Sequence, residues 1–136
     1  MNKQILVVDD DEDDRFLIKS SFEAAGDGNS LSFSDGPDGL DNYLKEVGKP
    51  PRVIIMDLKM PYKNGIQVLK EIRGNPLLTA TPVIIYSSEN SPEQIKACYE
   101  CGASSFIVKP ATFAAMVTVA EVILAYWLRT AALPAN

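Results

Sequence analysis

Four short apolar runs, Ile5–Val8, Val53–Met56, Val83–Tyr86 and Phe106–Val108, stand out along the chain. Each is too short for a helix and lacks polar alternation, which predicts strands buried on both faces of a sheet. A weaker run, Leu31–Ser34, reads as a further strand nearer an edge. Between and after them, apolar residues recur at helical spacing over Asp13–Ala25, Pro37–Val47, Ile66–Arg73, Pro92–Cys101 and Thr112–Arg129. Ser91 is placed to cap the fourth of these helices, with Pro92 in its first position and Gln94 completing a capping box; Gly102 ends it. Strand and helix thus alternate five times. Such alternation implies right-handed crossovers and a mostly parallel sheet covered on both faces. Ligands of such sheets bind beyond the carboxyl ends of the strands, where strand order reverses.

Composition adds boundaries. A chain of 136 residues, 46% of them hydrophobic and 23% charged, fits one domain spanning 1–136 that buries a core without disulfides or a structural metal. A formal charge of −5 and the lack of a basic run argue against nucleic acid or an anionic membrane as a partner. The N-terminus has no signal-peptide pattern, and the longest apolar stretch, Phe113–Leu128, is too short and too interrupted to span a membrane. The expected location is therefore the cytoplasm.

The four strong runs end on Asp9 and Asp10, on Asp57, on Ser87 and on Lys109. Any one of these is an ordinary polar residue entering a loop, but together they converge on one crevice. Carboxylates crowded into a partly buried site repel one another, and a hard divalent cation with oxygen ligands relieves that repulsion. Magnesium is the expected occupant, with manganese as the alternative. A lysine and a hydroxyl on the opposite side suit the oxygens of a phosphoryl group.

Val7-Val8-Asp9-Asp10, Met56-Asp57-Leu58-Lys59-Met60-Pro61, Asn64-Gly65, Tyr86-Ser87-Ser88 and Val108-Lys109-Pro110 resemble, in order and spacing, the motifs of bacterial two-component response-regulator receiver domains. The resemblance covers nearly the whole chain. It implies a flavodoxin-like doubly wound (βα)5 α/β fold with a five-stranded parallel sheet in the order 2-1-3-4-5. It also implies that Asp57 accepts a phosphoryl group from the phosphohistidine of a sensor histidine kinase. Asp10, Asp57 and the backbone carbonyl of Lys59 would bind Mg2+ directly, Asp9 would act through water, and Lys109 would pair with a phosphoryl oxygen. The Lys109-Pro110 bond matches a family position where the peptide is cis. Such a chain is a stoichiometric phosphoacceptor with slow autodephosphorylation rather than a turnover enzyme.

The same resemblance outlines a switch. Ser87, where the family more often has Thr, would swing toward the phosphoryl group, and Phe106, often Tyr in the family, would turn inward and reshape the face of the fourth helix, fifth strand and fifth helix. A plain core role for Phe106 stands beside that reading. Lys59 and Glu89 each follow a site residue by two; they would pair across the mouth and slow water, or form a solvated pair of no consequence.

Other chemistries fit the residues less well. Asp9, Asp11 and Asp13 imitate the start of a calcium loop, but Asp14 and Ser20 stand where it needs Gly and Glu. An aspartyl-nucleophile phosphatase would want an acid where Lys59 stands. A receiver-like module that signals without phosphate fits the fold but leaves the complete residue set unexplained. Cys98 and Cys101, near a helix C-terminus and without His partners in the chain, read as reduced, packed thiols.

No effector domain is expected beyond the receiver, so output is expected through a partner or self-association. In the last helix Phe113, Met116, Val117, Ala120, Ile123, Leu124 and Trp127 form one stripe that should face the sheet. Val119, Val122 and Tyr126 lie on another side and point to a homodimer, with a monomeric apolar surface as the alternative. Ala125-Tyr126-Trp127-Leu128 is similar to the tail of single-domain regulators paired with bacterial phytochrome kinases.

Overall fold

The computed structural model describes residues 4–36, 38–60 and 64–134. Five strands, β1 (Ile5–Val8), β2 (Leu31–Ser34), β3 (Val53–Met56), β4 (Val83–Ser87) and β5 (Ser105–Val108), alternate with five helices, α1 (Glu12–Ala24), α2 (Asp38–Val47), α3 (Gly65–Gly74), α4 (Pro92–Glu100) and α5 (Phe113–Ile123). All strand pairs are parallel, in the order β2-β1-β3-β4-β5. The expected fold and strand order are both present, and β2 is an edge.

The continuous apolar runs arise because each strand feeds two cores. Alternate side chains point to opposite faces. Ile5 and Val7, with Ile55, Ile84 and Tyr86, pack beneath α1 and α5 against Ile18, Phe22, Ala120 and Ile123. Leu6 and Val8, with Ile54, Met56 and Ile85, pack beneath α2, α3 and α4 against Leu40, Val68, Leu69, Ile72 and Cys98. A one-residue slip of any strand would exchange these two sets.

Helix boundaries lie within a residue or two of expectation except at the last. There the α-helix stops at Ile123 and continues as a π-helical turn over Leu124–Leu128. Arg52, just ahead of β3, fastens that turn: its Nε donates to the Trp127 carbonyl at 3.0 Å and its Nη2 to that of Ala131 at 3.1 Å. The expected inward stripe needs two corrections. Phe113 is 44% exposed, because burial deepens only along the helix to Ala120, Ile123 and Leu124. Val119, expected on the outer side, packs against the core beside Met116, since it sits on the flank of the stripe. Val122 and Tyr126 remain outside, at 58% and 50% exposure.

At α4, Ser91 accepts from the Gln94 backbone N–H at 3.2 Å, as the cap predicts. The Gln94 side chain reaches back to the cap through its Oε1, which accepts from the Ser91 hydroxyl at 3.3 Å, while its Nε2 donates to Glu89 Oε2 at 2.8 Å. Gly102 follows the helix at φ +101°, in the left-handed region that glycine tolerates. Its carbonyl accepts from Arg73 Nε and Nη2 at 2.9 and 2.7 Å, while Arg73 Nη1 bonds the Thr81 and Thr79 carbonyls at 2.7 and 3.2 Å. One guanidinium thus ties the end of α3 to the turn before β5. Cys98 is buried, Cys101 half-buried, and both are free thiols. Burial, then Cys101, pushes the Cys98 thiol up, the reverse of what a reactive thiolate needs. Pro37, the expected first residue of α2, and Pro61, in the Asp57 motif, lie outside the described residues.

Candidate functional site

The carboxyl ends of β1, β3, β4 and β5 open into a cleft of about 500 Å³ lined by Asp10, Asp11, Asp14, Asp57, Lys59, Met60, Ser87, Ser88, Glu89 and Lys109. Its floor lies where β1 joins β2 on one side and β3 on the other, the reversal point that the fold rule indicates. The central group is the Lys109 ammonium. Its Nζ lies 2.9 Å from Asp14 Oδ2, 3.2 Å from Asp57 Oδ2 and 3.3 Å from Asp9 Oδ2. Burial pulls the lysine pKa down, but the hydrogen bond to Asp14 and the charges of Asp9 and Asp57 outweigh it, so the pKa is raised and the ammonium stays charged. Burial acts the other way on Asp9, raising its pKa against the Asp11 N–H and Lys109.

Asp9, Asp14 and Asp57 each present a carboxylate oxygen within 4.8 Å of the others. Three acids around one ammonium leave a net charge of −2, which one divalent cation brings to zero. The donor set is all oxygen and partly buried, the chemistry of a Mg2+ or Mn2+ site. Asp10, expected as a direct ligand, is exposed on the cleft wall and is not in this cluster. Asp14 is there instead.

Asp14 is the member of the acid cluster that sequence reasoning missed, because it entered only as a mismatch to a calcium loop. A signal for it exists. Asp11 caps α1, accepting from the N–H groups of Asp13 and Asp14 at 2.8 and 3.1 Å. That makes Asp14 the third residue of the helix, and helical side chains lean toward the N-terminus, here toward the end of β1. Arg15 Nη1 donates to the Asp9 carbonyl at 2.7 Å and pins the same corner.

Ser87 is 1% exposed, and its Oγ accepts from the Glu89 N–H at 3.1 Å. Phe106 is half-buried against the α2–α4 core, and its N–H donates to the Tyr99 hydroxyl at 3.0 Å. Lys59 Nζ pairs with Glu89 Oε1 at 3.4 Å across the mouth. The hydrogen bond from Gln94, then Lys59, pulls the Glu89 carboxyl down. Among the described residues no peptide bond is cis, so Lys109 reaches the acids through a trans Lys109-Pro110 bond.

Tyr86 also borders the site. One step beyond the paired Met56 and Ile85, the parallel register sets it beside Asp57. Its ring packs under α1 and α5 at 2% exposure.

Comparison with known proteins agrees with this geometry. The family model of the response regulator receiver domain matches residues 5–121. The probable methanogenesis regulatory protein FilR2 of Methanothrix harundinacea is 32% identical over 129 residues, covering 91% of this chain and 83% of its own. The response regulator Rcp1 of Synechocystis is 28% identical over 139 residues, covering 98% and 94%; the Mn2+-bound form of Rcp1 superposes with a TM-score of 0.82 at 26% identity over 96% of this chain and 98% of that one. The phosphorylated cyanobacterial phytochrome response regulator RcpA superposes with a TM-score of 0.86 at 26% identity, covering 99% of this chain and all of that one.

Proposed function

Because the chain belongs to the response regulator receiver domains of two-component signalling, we propose that Asp57 is its phosphoacceptor and that a histidine kinase is its donor. The observation that carries this reading is the shared Lys109 ammonium, which ties Asp57 to Asp9 and Asp14 at the strand ends.

The Asp57 carboxylate attacks the phosphorus of a phosphohistidine; the new P–O bond forms as the P–N bond breaks, and the imidazole leaves with the electron pair. Lys109 donates to a phosphoryl oxygen. Asp57 and Asp10 with the Lys59 carbonyl, and Asp9 through water, would hold a Mg2+ ion, which would supply charge neutralisation at those oxygens. Asp14 joins that set by its place in the acid cluster. Beyond the Asp57 nucleophile, the protein contributes positioning and electrostatics. The acyl phosphate hydrolyses slowly, so the chain is consumed stoichiometrically rather than turning over. Ser87 then donates to the phosphoryl group, and Phe106 moves into the space it leaves.

The kinase is proposed to be of the phytochrome class, on the likeness to RcpA, itself a phytochrome response regulator. The chain is proposed to act in the cytoplasm as a single domain spanning 1–136; no helix among the described residues is long and apolar enough to cross a membrane. Exposed Val122 and Tyr126 support a homodimer through α5 and its π-turn, with Val119 holding that surface from beneath.

Incubation with Mg2+ and acetyl phosphate should add the mass of one phosphoryl group to the wild type and none to Asp57→Asn. Equal labelling of both would sink the assignment. Light scattering should show a dimer that Val122→Glu with Tyr126→Glu converts to monomer; a wild type that is monomeric at all concentrations ends the dimer reading.

A further inference from the structure

The Tyr86 hydroxyl is fully buried and has no hydrogen-bond partner among the described residues. Phenol hydroxyls buried in a core normally find a partner, and an orphan costs free energy in the state that holds it. Its surroundings say which other state satisfies it. Alternation along the strands puts Asp9, Asp57, Tyr86 and Lys109 on the sheet face covered by α1 and α5, and Asp14 comes down onto that face from the first turn of α1. After burial, the charges of Lys109 and Asp14 act most on this phenol, which is pushed up to about 12 and keeps its proton at physiological pH. A protonated phenol can donate, and the Asp14 carboxylate can only accept. In the resting site that carboxylate takes its donor from Lys109, at 2.9 Å.

We propose that Tyr86 is a positioning residue for the phosphorylated state: when Lys109 turns from Asp14 to the phosphoryl group, the Tyr86 hydroxyl donates to Asp14 in its place. The exchange keeps the acid fixed while the ammonium is redeployed, and it removes the cost of the orphan hydroxyl only once the site is occupied. The inference rests on the phosphoacceptor reading of Asp57.

Tyr86→Phe removes the hydroxyl and nothing else, so it separates the two states. Thermal melting of the metal-free protein should be unchanged or higher in the variant, since no hydrogen bond is lost. Affinity for beryllofluoride with Mg2+, measured by calorimetry, should fall about tenfold, the scale of one hydrogen bond to a charged group. In an Asp14→Ala background, Tyr86→Phe should cost nothing further. A metal-free variant that melts lower, a beryllofluoride affinity equal to wild type, or the same tenfold loss with Asp14→Ala each overturns the proposal. Wild-type protein that fails to bind beryllofluoride overturns the phosphoacceptor reading and this one with it; wild-type binding with an unchanged Tyr86→Phe overturns this one alone.

Discussion

Replacing Lys109 by methionine removes the cation at the centre of the site while keeping most of its aliphatic stem. Asp14, Asp57 and Asp9 hold the ammonium at 2.9, 3.2 and 3.3 Å, and the substitution takes the local charge from −2 to −3. Asp9 and Asp57 are shielded from water and cannot compensate by hydration. Leaving a buried charge without its partner costs about 3–5 kcal/mol; Asp14, about a third open to solvent, adds little to that after screening. An unfolding entropy of about 2.1 cal/mol/K per residue gives roughly 0.3 kcal/mol/K for this chain, so the metal-free melting temperature should drop by about 10–17 °C. Calorimetry at neutral pH in a chelator measures that drop. Repeating it in saturating Mg2+ should recover much of it, since a divalent cation replaces the lost charge and binding stabilises the folded state by mass action. A deficit below about 1 kcal/mol without metal, or one that Mg2+ leaves unchanged, would refute the view of Lys109 as the counter-ion of the acid cluster.

Three further outcomes follow from the same contacts. Burial raises the Asp9 carboxyl above its ordinary 3.8, so its contribution favours the fold at low pH and fades as pH climbs from about 4 through the folded value; Asp9→Asn should flatten that decline and raise the metal-free melting temperature at neutral pH, and a variant less stable there would contradict it. Arg73→Ala strips donors from the Gly102, Thr81 and Thr79 carbonyls and should cost about 3 kcal/mol in urea denaturation while leaving Asp57 labelling intact; a loss under about 1 kcal/mol counts against the clamp. Gln94→Ala should return the Glu89 carboxyl toward its ordinary range, read by carbon NMR titration of the side chain; no movement would mean that Lys59 alone holds it.

Most of the fold is legible in the pattern of apolar runs, because a strand covered on both faces has no reason to alternate. The last helix is less legible: helical periodicity carries Phe113 and Val119 to the wrong sides, since it knows neither how the helix inclines to the sheet nor where it widens into a π-turn. At the site, Asp57, Asp9, Ser87 and Lys109 are readable because each sits where a strand ends. Asp14 and Tyr86 are not. Asp14 reaches the cluster from a helix rather than a strand end, and Tyr86 passes for one more apolar residue of a buried strand until its hydroxyl is asked for a partner. Gln94 is legible as the partner of the Ser91 cap, but that its amide N–H also holds Glu89 shows only once Glu89 is placed.

The π-turn over Leu124–Leu128 makes the outer surface of the last helix a matter of counting. A π-turn is one residue more than the α-helical winding needs, so everything after it is turned by about 100° from where an uninterrupted helix would carry it. The edge-to-face rings of Tyr126 and Trp127, 4.9 Å apart, divide inside from outside at that spot. Removing a single alanine nearby would swing the residues beyond it about 100° around the axis, with scarcely a change in composition. Two chains with nearly the same tail can therefore present unlike faces, and a substitution table blind to insertions and deletions would score them as equivalent.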